Sequence, residues 1–197
     1  MKVSEYLPDG TKRRRVPLED ILVIEDPVLK KVEKVLDREF TEEQEKTIKA
    51  LLFFLKREVL QEISFSSIKE FIENKHINIL FMKKNEQQVG FMLLDDTGSD
   101  SRSCFSGDNH LDLKEMAGLG ILFYIKMAIY ASIKKIEMKS DLYHLTEKEA
   151  KVVWRRLEHL GLSFSEGMDC WKFKDISFLS EKDFEDINEI LKKENPT

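Results

Sequence analysis

Between residues 28 and 60 the apolar positions recur at the three- and four-residue spacing of a helix face. Val28, Leu29, Val32, Val35 and Leu36 form one stripe, and Ile48, Leu51, Leu52, Leu55, Val59 and Leu60 form a second. Thr41 followed by Gln44 opens that second run as a capping box, and Ser67 with Glu70 predicts a further helix ending near residues 74–76. Ahead of these, "DILVIED" reads as a strand, because Ile21, Val23 and Ile24 are β-branched and Pro27 stops it. Turn chemistry at Pro8-Asp9-Gly10 makes a small hairpin of residues 3–16.

The period changes at "INILFMKKNEQQVGFMLLDD", where two apolar runs flank the polar Lys83–Gln88 stretch as in an antiparallel hairpin. A strand is also expected at Leu111–Leu113, within "SRSCFSGDNHLDLKE". "DLKEMAGLGILFYIKMAIYA" then places Gly118 and Gly120 at the mouth of an apolar helix that reaches about Ser132. "IKKIEMKS" alternates Ile133, Ile136 and Met138 with charges as a strand does. Thr146 with Glu149 caps a helix whose stripe is Val152, Val153, Leu157 and Leu160 and whose natural stop is Gly161. "CWKFKDI" supplies a last strand through Trp171, Phe173 and Ile176, and Ser180 with Asp183 starts a terminal helix to about Lys193. The phenylalanines at 53, 54, 65 and 71 are expected to pack between the N-terminal helices.

Composition narrows the function classes. A chain of 197 residues with 42% hydrophobic and 35% charged positions is an ordered globular protein with a heavily solvated surface. Its net charge of −5 disfavours nucleic acid as a partner, since non-specific binding there depends on cations that displace counterions; the "KRRR" run at 12–15 is the exception. Met116–Ile133 carries Lys126 as its only charge, but it is short for a membrane span, and no membrane association is expected. Cys104 and Cys170 stand alone, so neither a metal site nor a disulfide framework is expected, and no secretory leader is legible; the expected location is cytoplasmic.

Taken in order, the elements are a strand, helices, an antiparallel hairpin, a short strand, a glycine-marked helix, a strand, a capped helix ending in "LGL" and a strand. This order resembles the GNAT family of N-acetyltransferases over roughly residues 19–175, most specifically between Leu111 and Trp171. Glu115-Met-Ala-Gly118-Leu-Gly120 has the spacing of the family's Arg/Gln-x-x-Gly-x-Gly/Ala loop, and "RRLEHLGLSF" looks like its "LYEKLGF" helix end. The resemblance implies an α/β domain with a mixed, mostly antiparallel sheet flanked by helices, a helical N-terminal insertion and a C-terminal helix. Residues 1–18 would be a hairpin extension, 19–178 the acyltransferase domain and 179–197 the terminal helix.

It further implies acetyl-CoA as co-substrate and an amine acceptor, either a small molecule or a protein, attacking the thioester directly. Unpaired amides and the dipole at a helix N-terminus favour a pyrophosphate, so Gly118, Leu119, Gly120 and Ile121 would hold that group. The backbone at Leu111 and Leu113 would hold the pantetheine arm. Asp112, with His110 beside it, is the candidate base for the amine, and Tyr143 or His144 the candidate acid toward the departing thiolate. Glu115 stands where the family has Arg or Gln, and Leu157 where it often has a tyrosine. These two departures motivate a second reading, a GNAT-like domain without catalysis that serves as a protein-binding or regulatory module. A homodimer is an open alternative for the assembly.

Overall fold

The computed structural model describes residues 26–95, 99–105, 119–140, 148–167 and 170–195. Helix α1 is Asp26–Leu36 and α2 is Glu42–Leu60. Four strands follow, β1 Ile63–Ile72, β2 Lys75–Lys84, β3 Gln87–Asp95 and β4 Ser99–Phe105. Then come α3 Leu119–Ile133, β5 Lys139–Ser140, α4 Lys148–His159, β6 Ser163–Gly167, β7 Cys170–Phe173 and α5 Glu181–Glu194. The seven strands form one sheet in the order β1-β2-β3-β4-β5-β7-β6. Among the described strands, only β4 and β5 run parallel; every other neighbouring pair is antiparallel. The α/β class and the mixed, mostly antiparallel sheet are therefore as expected. No helix of the described residues is long and apolar enough to cross a membrane.

The helix expected from Ser67 and Glu70 is instead strand β1. It pairs with β2 in unbroken register from Ile63–Lys84 to Ile72–Lys75. The reason is partly local, because Glu73 and Asn74 take φ values of 50° and 64°, the two-residue turn that matches the twist of a hairpin. It is mostly non-local, because the ladder with β2 outweighs a capping pattern that no apolar helical stripe follows. Asn85 and Glu86, at φ 50° and 61°, make the same turn between β2 and β3, tightening the expected Lys83–Gln88 loop to two residues.

Register then decides which side chains face the helices. Phe65, Asn78, Leu80, Met82, Met92 and Leu94 share one face. The ring of Phe65 meets Phe123 of α3 edge-on at 5.7 Å. Tyr130 Oη donates to Asn78 Oδ1 at 3.2 Å, and Asn78 Nδ2 donates to the carbonyl of Leu94. At the far end of the sheet, Trp171 Nε1 donates to Glu158 Oε2 of α4, and Ser163 Oγ to the carbonyl of Trp154. All of these helix contacts fall on that same face.

Helix α3 lies at the centre of this layer. Ten of its fifteen residues are buried, which is what a helix apolar on all sides requires. Tyr124 meets the fully buried Trp154 of α4 at 5.5 Å, while α2 packs along the opposite flank. Helix α2 has the capping box its sequence announces, with Thr41 Oγ1 accepting from Gln44 N and Gln44 Oε1 from Thr41 N. The terminal helix repeats the device at Ser180 and Asp183 and buries Phe184, Ile187 and Leu191.

Several single positions depart from the sequence pattern. Leu60, Val35 and Val152 are exposed although the stripes placed them inward. Phe54 is core and Phe53 lies against it, but Phe65 and Phe71 lie on β1, and Phe71 is exposed. Ile133 ends α3 rather than starting a strand. Lys135 at φ 58° closes that helix, with Ile136 N donating to Ala131 O and Lys135 N to Ser132 O, so β5 keeps only two residues. Gly161 closes α4 in the same way at φ 71°. The expected hairpin at 3–16, the strand at "DILVIED" and the cap at Thr146 lie outside the described residues.

Candidate functional site at the entrance of the central helix

The parallel pair sets where the N-terminus of α3 lies. Ser99 pairs with Lys139 and Asp100 with Ser140, and α3 is the crossover between these two strands. A helix joining parallel neighbours returns against their direction, so the N-terminus of α3 lies toward the carboxyl ends of β4 and β5. In open sheets this is the end at which ligands collect. Ser140 is locked there: its Oγ accepts the amide of Trp171 at 2.9 Å, in a buried position.

At that entrance Leu119 and Ile121 turn their side chains into the core and are 1% and 4% exposed. Whatever they offer a ligand is therefore their backbone. The first N–H groups of a helix have no intrahelical acceptor, and the first turn of α3 carries no acidic side chain to occupy them. Between them stands Gly120. Among the described residues outside its own helix, nothing lies within 4 Å of a Cβ built on it, and its φ is not in the left-handed region. Neither the packing of the described residues nor the backbone conformation requires glycine there, and glycine in place of alanine costs a helix up to about 1 kcal/mol. A first turn without acidic side chains, with room at Gly120 among the described residues, suits the close approach of an anion.

The other expected site residues divide. Leu111, Asp112, Leu113, Gly118, Tyr143 and His144 lie outside the described residues, as do His110 and Glu115. The strand described before α3 is Ser99–Phe105, upstream of the expected Leu111–Leu113. Leu157 is fully buried in the core beneath α4, so that position contributes neither a proton nor a surface to any ligand.

One polar group was not anticipated. Lys126, the lone charge of the apolar run, reaches Glu58 of α2 with Nζ 3.0 Å from Oε1, both side chains being largely buried. It also lies over the ring of Phe65, 5.3 Å from its centre. Burial pushes the Glu58 carboxyl above its ordinary range, while the ammonium of Lys126 pulls it back down. Glu58 Oε2 and Gln61 Oε1 are buried without a hydrogen-bond partner. The available signal was Lys126 itself, since a charge within a buried helix requires a counter-ion. This pair sits mid-helix, six residues from Gly120 and so roughly 9 Å along the axis. It joins α2 to α3 and does not reach the entrance.

Among the described residues no group of three or more metal-ligating side chains comes together. No family model matches the chain, and no curated protein or solved structure does either.

Proposed function

We propose that the chain is a GNAT-like N-acyltransferase that binds an acyl-CoA, acetyl-CoA being the simplest, at the entrance of α3 and passes the acyl group to an amine. The observation that carries this reading is Gly120, a glycine in the first turn of a buried helix that neither φ nor contact with the described residues explains. The strand order supports it, because α3 connects the one parallel pair of an otherwise antiparallel sheet, the place the resemblance gives to the pyrophosphate-binding helix.

In this reading the amides of Gly118, Leu119, Gly120 and Ile121 hold the pyrophosphate, and the backbone at Leu111 and Leu113 aligns the pantetheine arm. The co-substrate supplies an acyl group activated as a thioester. The chain supplies orientation and proton transfer: Asp112 takes the proton of the attacking amine, and Tyr143 or His144 protonates the departing thiolate. In this reading the acid is such a residue, and the burial of Leu157, at the position usually given to tyrosine, is consistent with that.

The burial of Leu157 also favours a second reading, in which the fold keeps its glycine-marked helix but serves as a regulatory module. Release of free thiol from acetyl-CoA in the presence of a panel of primary amines, polyamines and lysine peptides separates the two. Amine-dependent thiol release that is lost in Asp112→Asn and in Gly120→Trp is the expected result. Micromolar CoA binding with no turnover on any amine supports the module, and absence of both binding and turnover refutes the acyltransferase reading.

A further inference from the structure

The two edges of the sheet are built differently. Strand β6 is short, breaks its register with β7 between Ser165 and Gly167, and holds Glu166 2.8 Å from Lys172. Gly167 at φ 94° bends it further. Bulges, charges and short length are the devices that keep an edge from pairing with another chain. Strand β1, the opposite edge, has neither the bulge nor the short length, and its charges are confined to the neighbouring Lys69 and Glu70. It runs ten residues, its register with β2 is unbroken, and it contains neither proline nor glycine. Residues 66–72 are all exposed, among them Ile68 at 43%, Phe71 at 62% and Ile72 at 44%.

Hydrogen-bond parity says which groups this edge offers. Ile72 and Lys75 flank a two-residue turn and so form a hydrogen-bonded pair, which directs the amides of residues 72, 70, 68, 66 and 64 toward β2. The amides and carbonyls of Phe65, Ser67, Lys69 and Phe71 point outward. We propose that β1 is a homodimer interface, pairing antiparallel with β1 of a second copy about a twofold axis at Ile68, so that the two sheets continue into one.

The sequence of the strand is self-complementary in that register. An axis normal to the sheet keeps the faces continuous, so residues of like parity meet. Ile68 opposes Ile68 of the partner subunit, Phe65 opposes the partner's Phe71, and Lys69 and Glu70 oppose the partner's Ser67 and Ser66. Axes at Lys69 or Glu70 would set like charges directly opposite, which destabilises a pair. The Ile68 register avoids this and covers the exposed apolar side chains of both strands. It also makes the central pair non-hydrogen-bonded, where side chains approach most closely.

Sedimentation velocity on the full chain at concentrations from about 1 to 100 µM tests it, a range in which modest interfaces dissociate. A concentration-dependent dimer is expected. Ser67→Pro removes an outward donor without touching the ladder to β2, and Ile68→Lys places a charge on the axis; each is expected to weaken the dimer about tenfold or more with an unchanged circular dichroism spectrum. Ser67→Ala should leave it intact. Oxidised Ile68→Cys should give a cross-link mapped to residue 68 of both copies, which reads the register even where the proline variant folds poorly. A monomer throughout the range overturns the proposal, as does a dimer that survives Ile68→Lys, or an edge that takes up unrelated peptides while the chain stays monomeric.

Discussion

The two longest helices begin in opposite ways. Helix α2 closes its own entrance: Thr41 caps it, Gln44 reaches back, and Glu42, Glu43 and Glu45 set negative charge against the dipole. Helix α3 has no acid in its first turn and has at Gly120 a residue without a side chain, with room for one among the described residues. The first arrangement is complete without a ligand. The second shows none of these devices in its described first turn, and the proposed site rests on that difference.

The comparison can be broken at several points. Where the two helices meet, Lys126→Ala should destabilise by about 3 kcal/mol in a denaturant melt, because Glu58 would remain buried without its cation. The double variant Glu58→Leu with Lys126→Met should recover most of that loss, and failure to recover would mean that Lys126 acts outside this pair. The same pair predicts a pH signature. The carboxyl of Glu58 is raised above 4.5, so its contribution is full below that pH and declines as pH rises through the folded-state value. In Glu58→Gln, melting temperature followed against pH should lose that decline.

Smaller effects separate the entrances themselves. Thr41→Ala should cost about 1 kcal/mol in chemical denaturation and leave acetyl-CoA binding untouched. Gly120→Ala should do the reverse, gaining about 0.5 kcal/mol from helix propensity, since its Cβ meets nothing, while weakening acetyl-CoA. A variant at Gly120 that loses stability would contradict the open space described there.

Legibility followed the range of the interactions. Local signals were readable: the caps at Thr41 and Ser180, a hairpin turn within Lys83–Gln88, the C-terminal glycine of α4 and the apolar run of α3 all depend on residues near one another in sequence. Strand β1 was not, because Ser67 and Glu70 satisfy a helix-start pattern while the ladder that decides the matter comes from Lys75–Lys84. Glu58 was likewise hidden. On α2 it reads as a solvated charge, and only packing against α3 makes it the counter-ion of Lys126. For the candidate site, the sequence marked Gly120 by its spacing, whereas the free space before it is a property of the assembled helix layer.

The central claim, that the entrance of α3 binds an acyl-CoA, is tested most directly by isothermal titration of the purified chain with acetyl-CoA, side by side with Gly120→Trp. Micromolar binding in the wild-type chain that disappears in a variant still folded by circular dichroism is the result predicted. No heat at millimolar ligand, or equal binding by both chains, would contradict it.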